Sequence, residues 1–104
     1  MKRLKAGLPL TDEGFKEILH LHDLVASYLS IISEAMVRHD PNVLTRANVD
    51  GDIITHYMKS CRDRHLARVG TQQASPLTSL IFTDILTNYR KIKDHALNIA
   101  ETLV

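Results

Sequence analysis

The stretch F-T-D-I-L-T-N-Y-R-K-I-K-D-H-A-L-N-I-A-E-T, from Phe82 to Thr102, indicates the fold of this 104-residue chain. Its apolar residues recur every three or four positions, which is typical of an amphipathic α-helix and not of a β-strand with its period of two. Four polar residues lie on or beside this apolar stripe: Asp84, Asn88, Asp94 and His95. Because an unpaired buried polar group costs about 1 to 3 kcal/mol, we expect these residues to have structural partners or a function.

Capping signals divide the rest of the chain into further helices. Thr11 is a suitable N-cap, and acidic residues follow it in the first turn. Pro41 and Pro76 each fit the first position of a helix, where the missing N–H is not needed. The three predicted helices span about 12–39, 41–69 and 76–103.

Three long helices joined by short connections predict an all-α fold, an up-down-up antiparallel three-helix bundle over residues 11–104. Residues 1–10 do not fit this plan and are predicted to be a leader or the end of a preceding helix. The second helix is expected to turn one line of residues toward the core: Val43, Ala47, Asp50, Ile54, Tyr57, Cys61 and His65, with Met58 and Val69 alongside.

Composition excludes several classes of protein. Lys and Arg number 13 against 12 Asp and Glu, so no strongly basic surface is available for nucleic acid, and none is predicted as a partner. No apolar run reaches the ~18 residues that a membrane helix needs. The single cysteine, Cys61, permits no internal disulfide and favours a reducing compartment. No nucleophile paired with a base and no glycine-rich phosphate loop is present, so we do not expect an enzyme.

The run Y-R-K-I-K-D-H-A-L-N-I-A-E at residues 89–101, preceded by I-F-T-D-I-L-T-N, resembles the final helix of PhoU-like domains. The segments E-I-L-H-L-H-D-L-V, N-V-D-G-D-I and R-D-R-H-L-A-R-V-G are similar to the earlier helices of that pattern. The nearest variant is the C-terminal cytosolic domain of bacterial sodium/phosphate cotransporters. The resemblance implies half of a full PhoU repeat pair, a non-catalytic regulatory domain for phosphate uptake.

The same resemblance implies a cytoplasmic position at the inner face of the cell membrane. The expected partner is the membrane transporter portion of the same polypeptide or a separate phosphate transporter. Two alternatives remain open: a freestanding PhoU-type metal-binding regulator of phosphate transport, and a small helical adaptor unrelated to phosphate. Metal content would distinguish, in part, the transporter domain from the freestanding regulator. A membrane segment upstream in the same polypeptide would distinguish the transporter domain from both alternatives.

The resemblance matches the aspartates of the family's two metal-binding motifs to Asp50 and Asp94. The residues four positions earlier, where the family pattern has carboxylates, are Arg46 and Arg90. Because a guanidinium group has no lone pair for a metal, a divalent ion is disfavoured and no cofactor is expected. We predict instead an interhelical charge network that joins Arg46 to Asp94 and Arg90 to Asp50.

Antiparallel pairing about a turn near residues 72 and 73 sets the second and third helices in register, with the two aspartates at the same level. A weaker metal site is predicted there from four residues: Glu34, Asp50, Asp94 and His95. Asp84 and Asn88 are predicted to form interhelical hydrogen bonds near Cys61 and Tyr57. The charged stretch at Arg62–His65 is predicted to be a solvated face.

The first helix has two adjoining apolar lines and therefore a wide apolar face. A faint echo between K-R-L-K-A-G at the N-terminus and H-L-A-R-V-G in the second helix hints at a longer tandem of helices. In that case, a missing half or a second copy of the chain would cover part of this face. We therefore expect the isolated piece to form a homodimer.

Overall fold

The computed structural model describes residues 10–71 and 74–102, and within these ranges it contains three helices and no strand. They are α1 (Asp12–Arg38), α2 (Val43–Gly70) and α3 (Pro76–Thr102). Each helix contacts both of the others. The all-α prediction and the three-helix bundle are therefore confirmed, whereas the predictions for residues 1–9 and for the last residue of the third helix lie outside the described residues.

The ends of α1 follow from local side-chain chemistry. Thr11 has an extended backbone, and its Oγ1 accepts a hydrogen bond from the Gly14 N–H at 2.9 Å. At the other end His39 adopts the left-handed conformation, with φ of 53°, and its N–H donates to the Met36 carbonyl at 3.2 Å. This conformation reverses the chain so that α2 can return along α1.

The start of α2 differs from the prediction, because the helix begins at Val43 and not at Pro41. The Asp40 carboxylate accepts a hydrogen bond from the Asn42 N–H at 2.9 Å, and the Asp40 carbonyl accepts one from the Val43 N–H at 3.3 Å. The Asp40 side chain therefore stabilises a turn ahead of the helix, whereas its carbonyl accepts from the first helical N–H. By contrast, α3 begins at Pro76 as predicted, where the Ser75 hydroxyl accepts from the Thr78 N–H at 3.1 Å.

The core lies along the axis where the three helices meet. It is aliphatic apart from one tyrosine, one phenylalanine and one cysteine. The buried apolar residues are Leu21, Val25, Tyr28, Ile32, Ala35, Val43, Ala47, Ile54, Met58, Cys61, Phe82, Leu86, Ala96 and Ala100.

The buried line of α2 passes beside the predicted one. Gly51 is buried where the prediction placed Asp50, and Arg68 is 6% exposed, whereas Val69 is 37% exposed. From Gly51 onward, the buried residues advance in alternating steps of three and four, the ~3.5-residue period of long helices that pack side by side. Gly51 also leaves room for its neighbour, since a Cβ there would lie 3.1 Å from the Tyr28 hydroxyl oxygen.

Candidate functional site

A groove without charged side chains runs between α1 and α3, and we call it the α1–α3 groove. It consists of two clefts of about 490 and 320 Å³ that share Leu29 and Ile92. Along α1 it extends from Ile18 to Met36, about 27 Å at 1.5 Å per residue. Among the described residues that line the two clefts, none is Asp, Glu, Lys or Arg. The groove is therefore an elongated apolar surface.

Large apolar side chains in the α1–α3 groove remain open to solvent. Leu29 is 40% exposed and Met36 is 38% exposed on α1, whereas Ile92 is 41% exposed and Ile99 is 48% exposed on α3. Isolated exposed apolar residues are normal, but a contiguous set rimmed by polar residues marks an interaction surface. This set is contiguous because all four residues line the two connected clefts.

One polar contact crosses the α1–α3 groove. The His22 Nδ1 on α1 and the Tyr89 hydroxyl on α3 lie 2.8 Å apart, within hydrogen-bond distance. The two rings also meet edge to face, with centroids 6.0 Å apart. This contact holds the two walls of the groove together at one level and leaves the aliphatic residues on either side free for another surface.

The predicted register of α2 and α3 is confirmed by two contacts. A Cβ on Gly51 would lie 3.8 Å from the Lys93 side chain, and the His65 Nε2 lies 3.0 Å from the Ser79 hydroxyl. In both contacts the two residue numbers have the same sum, as antiparallel pairing requires. The prediction therefore placed the residues of α2 opposite the correct residues of α3. It did not give the correct rotation of each helix about its own axis, which decides the side chains that face the core.

Asp50 and Asp94 both act on the same buried tyrosine. Burial raises the pKa of the Tyr28 hydroxyl, and the negative charges of Asp50, Asp94 and Asp52 raise it further. Tyr28 nevertheless has a partner, because its hydroxyl donates to the Ala47 carbonyl at 3.0 Å. The negative charges of all three carboxylates thus favour the neutral form of this phenol.

The predicted charge network of Arg46 with Asp94 and Arg90 with Asp50 is not present among the ion pairs of the described residues. Asp94 pairs instead with Lys93, with Nζ and Oδ1 2.9 Å apart. Arg46 and Arg90 are exposed, and exposed pairs of long side chains gain little over the entropy that they lose. Arg90 lines a cleft between α2 and α3.

The weaker metal set is not assembled either. Within residues 10–71 and 74–102, no three His, Cys, Asp or Glu side chains lie close enough to hold a metal ion. Glu34, Asp94 and His95 are exposed, whereas Asp50 is half-buried. His95 lines the α1–α3 groove and is therefore not directed toward Asp50 on α2.

Asp84 and Asn88 are placed differently from the prediction. Both are exposed, and Asn88 lines the α1–α3 groove and does not face α2 near Cys61. The buried line of α3 passes through Phe82, Leu86 and Ala96. Because consecutive helical residues are rotated by about 100°, Asp84 and Asn88 lie away from that line.

The sequence analysis missed a cluster of ion pairs between the first turns of α1 and the last turns of α2. The Arg68 guanidinium donates to the Glu17 carboxylate through two nitrogens, at 2.9 and 3.3 Å. Arg64 donates to the same carboxylate through Nε at 2.6 Å. The side chains of Arg68 and Glu17 are 7% and 11% exposed, whereas that of Arg64 is 46% exposed. The predicted solvated face at residues 62–65 agrees with the exposure of Arg62, Asp63 and Arg64, and is wrong only for the buried His65.

The electrostatics of this cluster favour the ionised pair. Desolvation raises the pKa of Glu17, but hydrogen bonds from Arg68 and Arg64 outweigh it, so the pKa lies below its usual value. Arg68 also lies over the Phe82 ring, at 5.5 Å from the centroid. The cluster could have been predicted from the sequence. Arg64 and Arg68 are one helical turn apart on α2, and antiparallel pairing of α1 with α2 places Glu17 opposite them.

His65 lies beside this cluster and is 3% exposed. Its ring stacks on Phe82 with centroids 4.6 Å apart, and its Nε2 hydrogen-bonds with the Ser79 hydroxyl. Burial lowers the pKa of His65, and the positive charge of Arg68 lowers it further. The ring is therefore neutral at pH 7 and acts as a core residue with a hydrogen-bonding edge.

No protein-family model, curated protein or solved structure matches this chain. Within the described part of the chain, none of the helices has a stretch long and apolar enough to cross a bilayer. The function is therefore inferred below from the surfaces and contacts of the bundle together with the sequence resemblance.

Proposed function

We propose that this chain is a non-catalytic, PhoU-like regulatory domain of a sodium-dependent phosphate cotransporter, positioned at the inner face of the cell membrane. The resemblance of its last helix to that family supports the link to phosphate. The α1–α3 groove carries the regulatory part of the proposal, because it is an extended apolar surface on an otherwise complete bundle. The domain acts by packing against another protein surface.

The occupant that best fits the α1–α3 groove is a second copy of the chain. Two helices side by side over about 27 Å give a face of roughly 500 Å², and side chains that protrude from it add accessible area. Each partner in a standard interface contributes about 800 Å², and a specific interface needs at least about 1,000 Å² in total, so two such faces reach the lower limit for a dimer. Because the part of the lining that the structure describes contains no Asp, Glu, Lys or Arg, two copies meet there without opposed acidic or basic side chains.

The buried charges of the bundle support a structural and not a catalytic role. Glu17 and Arg68 are directed at each other, and their pairing satisfies both carboxylate oxygens. A catalytic acid or base needs a reacting group within hydrogen-bond reach. The cluster is instead used to join α1 to α2.

The link to a transporter is tested on the native protein with an antibody against this domain, applied to separated membrane and soluble extracts. We expect a membrane-bound band several times heavier than 11.8 kDa. A soluble band near 11.8 kDa would overturn the transporter proposal and leave the freestanding regulator or the adaptor.

The use of the α1–α3 groove is tested by light scattering of the purified chain after size-exclusion chromatography. We expect a dimer for the wild type and a monomer for Ile92→Glu. Ile53→Glu is the matched control, because Ile53 is 55% exposed on α2 and lies outside the groove. A monomeric wild type, or equal dissociation by both variants, would refute self-association through this surface.

A further inference from the structure

A second cleft, between α2 and α3, has the opposite chemistry to the α1–α3 groove. Its volume is about 310 Å³, and three of the side chains that line it are cationic: Lys59, Arg62 and Arg90. Its lining within residues 10–71 and 74–102 contains no carboxylate. We call it the α2–α3 cleft.

The three cations of the α2–α3 cleft form no ion pair with any residue that the structure describes. The ion pairs of the described residues are formed by Arg64, Arg68 and Lys93, and none involves Lys59, Arg62 or Arg90. Like charges around one cleft repel one another, and an anion placed between them is attracted by all three. The site is therefore electrostatically prepared for an anion.

Threonine hydroxyls complete the lining. Thr83 and Thr87 lie one turn apart on α3, and no hydrogen bond with another group of the described residues uses either hydroxyl. The Thr55 hydroxyl is already engaged, since it donates to the Gly51 carbonyl and accepts from the Lys93 ammonium, both at 3.0 Å. Thr83 and Thr87 are thus the two hydroxyls available to donate to an anion's oxygens.

We propose that the α2–α3 cleft binds the phosphate group of a small molecule. Two arginines offer planar donor forks that suit phosphate oxygens, and the lysine adds a point charge. The volume lies at the lower end of small-molecule pockets, and Met58 and Leu86 give the cleft an apolar floor. A phosphate monoester with a small apolar group fits both features. The inference stands on the lining of this cleft and does not depend on the proposed transporter link.

The test is a titration of the isotope-labelled chain, followed by amide chemical shifts at constant ionic strength. Inorganic phosphate and phenyl phosphate are the two probes, and sodium chloride is the salt control. We expect saturable shifts at Thr83 and Thr87 with phosphate-containing probes only. Tighter binding of phenyl phosphate assigns the cleft to esters, and equal affinity assigns it to the free ion.

The matched variants are Arg62→Gln with Arg90→Gln, compared with Arg46→Gln. Arg46 is an exposed arginine of α2 that does not line the cleft. Because each guanidinium supplies charge-assisted hydrogen bonds to phosphate oxygens, the double variant should bind at least about tenfold more weakly. The control variant should keep its affinity within about twofold. Shifts that do not saturate, or equal weakening by the control, would overturn the proposal.

Discussion

Replacing Glu17 by leucine tests the energetics of the missed ion-pair cluster. The substitution leaves the Arg68 guanidinium 7% exposed and without its carboxylate. Removing one partner of a buried pair costs about 3 to 5 kcal/mol. Glu13, whose carboxylate lies 3.9 Å from Arg68, and the Phe82 ring retain part of the stabilisation. We therefore expect a loss of about 3 kcal/mol in the free energy of unfolding.

The assay is urea unfolding followed by circular dichroism at pH 7 and fixed protein concentration. A loss of about 3 kcal/mol corresponds to a fall of roughly 12 to 24 °C in Tm for a domain of this size. Arg64→Ala is the internal comparison, because it removes the pair whose cation is 46% exposed. That variant should lose less than about 1 kcal/mol.

The double variant Glu17→Leu/Arg68→Met separates a buried charge from a packing defect. Replacing both partners by apolar residues removes the stranded guanidinium, so stability should return to within about 1 kcal/mol of the wild type. A double variant no more stable than Glu17→Leu alone, or equal small losses for Glu17→Leu and Arg64→Ala, would refute this reasoning. Because the pKa of Glu17 is lowered, its contribution is complete above pH 4.5 and is lost as the pH falls through the folded-state value.

Three further predictions concern buried groups. Gly51→Ala should destabilise the bundle by about 1 kcal/mol in urea unfolding, because the new Cβ would lie 3.1 Å from the Tyr28 hydroxyl oxygen. Gly70→Ala should stabilise the bundle by up to about 1 kcal/mol, because a Cβ at this position has nothing within 4 Å and alanine favours a helix more than glycine does. Equal effects of the two alanines would contradict the crowding argument. The lowered pKa of His65 means that the folded state binds fewer protons than the unfolded state, so stability should fall as the pH drops below 6.5, and His65→Leu should flatten this part of the pH profile of Tm. Burial raises the pKa of the Cys61 thiol, which is 0% exposed, so a thiol reagent should label it only as fast as the chain opens, and rapid labelling under native conditions would exclude this.

The helices themselves were predictable because their signals are local. The N-cap at Thr11 and the proline start at Pro76 each act within one turn, and the structure places helix ends there. Pro41 misled the prediction, since the Asp40 carboxylate bonds to the Asn42 N–H and forms a turn before the helix begins. A proline permits a helix start but does not require one.

The candidate sites were less predictable because they depend on side-chain rotation about each helix axis. The level of Asp50 with Asp94 came out correctly, but Gly51 occupies the core position that had been given to Asp50. An error of one residue turns a side chain by about 100°, enough to exchange core for solvent. A pattern read from one helix cannot determine this rotation, which is set by the neighbouring helices.

By itself the sequence determined that the chain is helical, where most helices begin and end, and that its charge is balanced, since these properties depend on neighbouring residues or on composition alone. Only the tertiary structure decided which polar residues meet. Glu17 and Arg68 are 51 positions apart, and they pair because α1 and α2 pack antiparallel at one rotation. The same rotation leaves the described lining of the α1–α3 groove without Asp, Glu, Lys or Arg and brings the cations of the α2–α3 cleft together. Burial strengthens or penalises each charge only after packing has chosen its neighbours.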